Sequence, residues 1–380
     1  MRRIVLLLLA TVLAIGNFAA LMSVVPLWVA SGGASNAWVG ATTGVMLGGT
    51  VAAQLCMVWI LRVWSLQRVF AVGTLVLGVA TPAYLLTSAV GPVMAISALR
   101  GAGFALVVVA GVALAAELAP PGRVGTATGM YGAAAGLPNV VVLPAGVWLS
   151  QTWGFSPVFL GAALLALLGV PLAMLLPATD HAGRSRPSVR GMSRGSVVAL
   201  VTFFVTTASL GTVLTFLPLS ATEADRASAA LLVLSVAMVL ARIVAGSVAD
   251  RYGPGRLVVP AAMCCAVGFV VLALDPALDG WLVLAGAAVL GAGFGLAQND
   301  SFLVVLRSLG ARRSGSASTV WNIAYDGGMG LGPVVVGAGL ALTGYAGAFA
   351  ALTALLTLAA VVALLVGGRS MGTDDISPAS

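Results

Sequence analysis

Lysine is absent from this 380-residue chain, whose eighteen basic side chains are all arginine. Charge of either sign is scarce, at 8% of residues, with eleven Asp and Glu in all. A water-soluble chain carries about a quarter of its residues charged, so a soluble enzyme is excluded. Disorder is excluded too, because it needs many charges and few apolar groups. Histidine occurs once, at His181, which leaves Ser-His-Asp catalysis and histidine metal sites almost nothing to work with. Cys56, Cys264 and Cys265 lie in apolar runs, with neither metal-ligand spacing nor a disulfide framework. Gly101 and Gly103 stand in an apolar helical run, not after a strand, so they form no phosphate loop. These absences predict a protein that is not an enzyme and holds no cofactor or metal.

What fills the chain instead is apolar: 60% of residues, with a mean hydropathy of +1.11. A helix needs about 20 apolar residues to cross ~30 Å of hydrocarbon. Twelve runs meet that need, at roughly 4–30, 37–61, 69–88, 92–117, 124–150, 156–177, 196–219, 227–249, 257–274, 281–306, 315–343 and 346–366. The first follows Met1-Arg2-Arg3 and continues through Val29, too long for the apolar core of a cleaved leader. If it runs from inside to outside, fifteen arginines fall on the inner side and Arg226 alone on the outer. That bias predicts cytoplasmic termini. The net charge of +7 then reads as an orientation signal and not as a nucleic-acid face. The expected fold class is all-α integral membrane, with twelve transmembrane helices, and the Arg-only, Ala- and Gly-rich usage suggests a bacterial plasma membrane.

The longest polar stretch, Asp180 to Arg194, divides six runs from six. The expected organisation is an N-terminal six-helix half at 1–178, a cytoplasmic linker at 179–195, a C-terminal half at 196–367 and a cytoplasmic tail at 368–380. The halves also look alike. Arg100-Gly101-Ala102-Gly103-Phe104-Ala105-Leu106 recurs as Leu290-Gly291-Ala292-Gly293-Phe294-Gly295-Leu296, at an offset of 190. Two pseudo-symmetric halves suit a transporter that rocks one against the other around a site near mid-membrane.

Gly246-Ser247-Val248-Ala249-Asp250-Arg251-Tyr252-Gly253-Pro254-Gly255-Arg256 resembles the G-x-x-x-D-R-x-G-x-x-R signature of the major facilitator superfamily. Arg100 with Gly101-Ala102-Gly103 is similar to the span-4 motif of its drug:proton antiporters and metabolite-efflux branch. Gly129-Met130-Tyr131-Gly132 through Gly136-Leu137-Pro138 resembles their span-5 Gly/Pro motif, and Val24-Val25-Pro26 their span-1 motif. The first-half loop, Arg62-Val63-Trp64-Ser65-Leu66-Gln67-Arg68, departs by lacking Asp and Gly. The resemblance implies the major facilitator fold and an alternating-access mechanism. It also implies gating by the Gly246, Asp250, Arg251, Gly253 and Arg256 loop. The repeat adds two expected salt bridges at the cytoplasmic ends, Arg62–Glu117 and Asp250–Arg307.

A charge at the centre of a span costs about 2.5–3.5 kcal/mol on insertion scales, so each needs a reason. Four residues qualify: Arg100, Arg242, Asp300 and Asp326. Arg242 and Asp300 stand at matching depths, about 12 and 10 Å from the cytoplasmic edge at ~1.5 Å per residue. They are expected to form a buried ion pair, with a ligand role left open because Asp300 closes Gln298-Asn299-Asp300. A guanidinium keeps its proton, so a coupled proton must ride on a carboxylate. Asp326 is the first candidate and Asp300 the second. Arg100 would attract an anionic or carbonyl group, stabilise an ionised Asp, or bond carbonyls freed by its neighbouring glycines. Arg100, Asn17, Gln298, Asn299, Trp321, Asn322 and Tyr325 are the expected substrate wall. Gly129, Gly132 and Gly136 with Pro138, and Gly328 and Gly332 with Pro333, read as helix-packing stripes or as hinges. Trp28, Trp38, Trp153 and Trp281 read as interfacial anchors.

The function expected is export of a small amphipathic drug or secondary metabolite in exchange for protons. Import of a small metabolite by symport or uniport is the alternative. The expected partners are the substrate, protons and the lipid bilayer, without nucleic acid, around a monomer.

Overall fold

The computed structural model describes residues 2–120, 123–178, 192–220, 223–274, 280–310 and 314–367. Most of the linker expected at 179–195, and the whole tail at 368–380, lie outside the described residues. Every regular element among the described residues is helical.

Helices α1 (Arg2–Met22) and α2 (Val24–Ser31) form one 30-residue apolar run, interrupted at Ser23. There follow α3 (Asn36–Ile60), α4 (Leu66–Ala80) with a 3-10 extension (Thr81–Leu86), α5 (Val90–Glu117), α6 (Val124–Thr152) and α7 (Phe155–Met174). Beyond the linker come α8 (Arg194–Ser220), α9 (Ala224–Tyr252), α10 (Val258–Ala273), α11 (Trp281–Leu309) and α12 (Ser314–Gly367). Among the described residues ten runs are long and apolar enough to cross a bilayer. Helix α10, at 16 residues, is apolar but shorter. The runs expected at 315–343 and 346–366 lie on the two sides of a break in α12 at Gly344. Its φ of 63° and ψ of 178° are a combination that glycine alone adopts without strain.

Helix α7 shows why these sequences suit lipid. Leu160, Leu164 and Leu168 recur every fourth residue and form one exposed apolar stripe. Phe159, Ala162, Ala166 and Ala173 are buried on the other side. In water that stripe would drive aggregation, whereas in hydrocarbon it needs no cover, and helices associate by close packing and hydrogen bonds.

Before the linker, α1 packs on α6 and α7, α3 on α5, and α4 on α5 and α7. After it, α8 packs on α12, α9 on α11, and α10 on α11 and α12. The two groups meet where α3 crosses α12 and α6 crosses α9, with α2 and α3 also touching α8. The α3–α12 crossing is close because side chains are missing there. A Cβ on Gly40 would overlap the Pro333 carbonyl, and one on Gly337 would overlap the Asn36 carbonyl.

Candidate functional site

The polar residues that join the two helix groups run in a seam. One end of the bundle carries Trp38, Trp153 and Trp281, all exposed, and the other carries Arg62, Arg251, Arg256 and Arg307. At the tryptophan end the seam is closed. Thr43 and Thr215 hydroxyls pair at 2.9 Å, the Ser23 hydroxyl donates to the Leu214 carbonyl, and Gln151 Nε2 donates to the Pro218 carbonyl at 3.3 Å. Trp148 Nε1 donates to Asp225 at 2.8 Å.

Midway along, Gln54 of α3 donates through Nε2 to Asp326 Oδ2 of α12 at 2.6 Å. Asp326 is buried and has no cationic partner among the described residues. The other amide atom, Gln54 Oε1, is buried without a hydrogen bond. Sequence reasoning missed Gln54. Its one signal was an amide alone in the apolar run of 37–61.

Toward the arginine end the groups separate. A Cβ on Gly129 or Gly132 of α6 would meet nothing within 4 Å. Neither expected salt bridge is formed: Arg62, Glu117, Asp250 and Arg307 are exposed, and the ion pair among the described residues is Arg226–Glu223 at 3.2 Å. An exposed pair gains only about 0–1 kcal/mol, which barely offsets the cost of fixing two side chains in water, even where the Arg307 guanidinium lies beside Gly253 at the end of α9.

The Arg242–Asp300 pair expected from matching depth is also absent. Asp300 turns to the loop between α9 and α10, accepting the Gly255 N–H at 2.8 Å and the Leu257 N–H at 2.9 Å. Depth along the axis matched, but backbone donors claimed the carboxylate. The loop bends back through Gly253 and Gly255, with φ of 83° and 98°, and Arg256 Nε donates to the Tyr252 carbonyl at 2.9 Å. Arg251 lies over the Tyr252 ring, and Gly246 packs beside the Asn299 amide. Arg242 instead crosses the seam: one of its guanidinium nitrogens lies 3.9 Å from where a Cβ on Gly136 would be.

Arg100 and Asn17, placed in the substrate wall by sequence, are sealed inside the first helix group. Arg100 is fully buried and donates to Asn17 Oδ1 at 2.9 Å and to the Tyr84 hydroxyl at 3.4 Å, while lying over the Tyr84 ring. Asn17 Nδ2 donates to Thr81 and to the Ala162 carbonyl, and Tyr84 pairs with Ser97. The cation thus serves α1, α5, α7 and the 3-10 extension of α4, held by neutral oxygens. Its Nε remains without a partner.

Trp321 stacks on Phe203 of α8, Tyr325 meets Phe203 at a tilt and Phe294 of α11 edge-on, and Trp321 Nε1 donates to Ser301 at 3.0 Å. Asn322 donates to the Ser318 carbonyl in its own helix, while Gln298 keeps Oε1 buried and unpaired. Only part of the expected wall therefore reaches the seam.

The two glycine stripes differ. Gly328 abuts Thr207 and the Phe204 carbonyl, and Gly332 the Ala208 carbonyl, so both seat α12 on α8 next to Pro333. Gly129 and Gly132 pack on nothing, Gly136 approaches only Arg242, and Pro138 lies inside α6. This stripe therefore makes no close backbone contact like that of the α12 stripe, and it meets α9 only through the Arg242 side chain at Gly136.

Two groups of apolar helices meeting at a buried polar seam define a membrane transporter. The chain belongs to the Major Facilitator Superfamily, whose family model matches residues 7–333. Solved structures share the fold at low identity. A point variant of the peptide transporter POT in complex with sulfate superposes with a TM-score of 0.79 at 11% identity, covering 96% of this chain and 94% of that one. A POT family transporter in complex with 5-aminolevulinic acid gives 0.78 at 9%, covering 97% and 96%. A variant of the nucleoside transporter NupG gives 0.76 at 13%, covering 97% and 100%. No curated protein matches in sequence.

Proposed function

We propose that the chain is a proton-coupled secondary transporter, exporting a small amphipathic compound in exchange for protons across a bacterial plasma membrane. Twelve spans form two six-helix halves, with the termini and linker cytoplasmic. The matching packing of α1 on α6 and of α8 on α12, and of α3 on α5 and of α9 on α11, supports this division. The closed tryptophan end then faces outward, and the state described is open toward the cytoplasm.

The observation that carries the reading is Asp326: a buried carboxylate at the crossing of the two halves, held by one neutral amide and, among the described residues, by no cation. It takes a proton when the site faces one side and releases it when the seam reopens on the other. Because Gln54 and Asp326 lie in different halves, this bond is remade in each cycle. Asp300, engaged by two backbone donors, anchors the α9–α10 loop and leaves the carrier role to Asp326.

A second reading is import of a small metabolite by symport or uniport. It is favoured by solved structures of like fold that are named as peptide and nucleoside transporters. Proteoliposomes separate the two. A compound that drives proton movement opposite to its own supports export by exchange, and parallel movement supports symport.

A further inference from the structure

We infer that Arg242 is an anion-binding subsite of the transport path, so that the carried compound bears a carboxylate or similar monoanionic oxygen group. This deepens the transport reading above, and rests on it for the claim that the seam holds substrate.

Arg242 stands in α9 and reaches across the seam to α6, with a guanidinium nitrogen 3.9 Å from the Cβ position of Gly136. It is half-buried, and no hydrogen bond or ion pair engages it among the described residues. The two carboxylates that could neutralise it point elsewhere. Asp326 is turned to Gln54, and Asp300 to the Gly255 and Leu257 amides. Arg100, the other cation within the spans, donates from both terminal nitrogens to oxygens of Asn17 and Tyr84 and is sealed from the seam.

A guanidinium withdrawn from water without a counter-charge is costly, and the structure keeps one at the place where the halves separate. Space is available there, because Gly132, one turn before Gly136, has nothing within 4 Å of its Cβ position. A planar fork of N–H donors matches two carboxylate oxygens, and the paired rings of Trp321 and Tyr325, beside Asp326 on α12, supply apolar surface in the same seam. An amphipathic monoanion satisfies both.

The test uses the full chain in nanodiscs, with phenylacetate and octanoate set against their neutral amides, phenylacetamide and octanamide. The acids are expected to bind roughly tenfold more tightly than the amides, as a charge-assisted bidentate contact provides. Arg242→Gln is expected to remove that preference, and Arg242→Lys to retain part of it, since lysine keeps the charge without the fork. Monodisperse elution and an unchanged unfolding midpoint without ligand show that the variants fold. Asp326→Asn is expected to keep the acid preference. Equal binding of acid and amide to the unsubstituted chain, or a preference that survives Arg242→Gln, would overturn the inference. Proton coupling that survives Asp326→Asn would sink the carrier assignment and leave the Arg242 result standing.

Discussion

Asp326 and Asp300 are chemically the same side chain, but their neighbours give them different work. Asp326 has one side-chain amide from another helix, and Asp300 has two backbone amides from a loop. Leaving a buried polar group without its partner costs about 1–3 kcal/mol. Gln54→Leu is therefore expected to lower thermal stability by about that much. In a double-mutant cycle with Asp326→Leu the combined loss should fall short of the sum. Strict additivity would show that the two do not act together. Asp300→Ala orphans two N–H groups and is expected to speed proteolysis between Gly253 and Leu257 while proton coupling continues. Loss of coupling in that variant would move the carrier from Asp326 to Asp300. The sequence exposed all four charges within the spans, because each interrupts an apolar run. It did not expose their partners, because a helical repeat reports depth along an axis and not direction around it. Arg242 and Asp300 match in depth and still do not meet.

The glycines make the same point at the level of whole helices. In sequence, the stripe through Gly129, Gly132 and Gly136 is indistinguishable from the one through Gly328 and Gly332. Packing separates them: the second touches the backbone of α8, whereas a Cβ on Gly129 or Gly132 would meet nothing within 4 Å and one on Gly136 only the Arg242 side chain. Gly40→Ala is expected to push α3 off the Pro333 carbonyl, lowering the unfolding midpoint and transport together. Gly129→Ala and Gly132→Ala meet open space, so they are expected to leave stability unchanged or raise it by up to ~1 kcal/mol through helix propensity. Unfolding curves of the three variants decide it, and equal destabilisation would contradict this distinction. Helix positions were legible from apolar length alone, since hydrocarbon thickness dictates it. The break at Gly344 was legible as a gap between runs, because glycine can turn where other residues cannot.

Across the molecule, the seam is closed at the tryptophan end and open past Asp326 toward the arginine end. A disulfide between Thr43→Cys and Thr215→Cys, whose native hydroxyls pair at 2.9 Å, is expected to hold this state and stop transport until reduced. Unimpeded transport by the cross-linked protein would show that the tryptophan end need not open. The superfamily was legible from the Gly246–Arg256 loop, and the sequence match across 7–333 shows it. The expected salt bridges at the helix ends were not realised among the described residues: Asp250 and Arg307 are exposed and form no ion pair, although the Arg307 guanidinium lies beside Gly253 at the end of α9. The most direct measurement is substrate-dependent proton movement into liposomes holding the native chain or Asp326→Asn. Movement that disappears in Asp326→Asn while substrate counterflow persists is the expected result. Undiminished proton movement in Asp326→Asn would contradict the account at its centre.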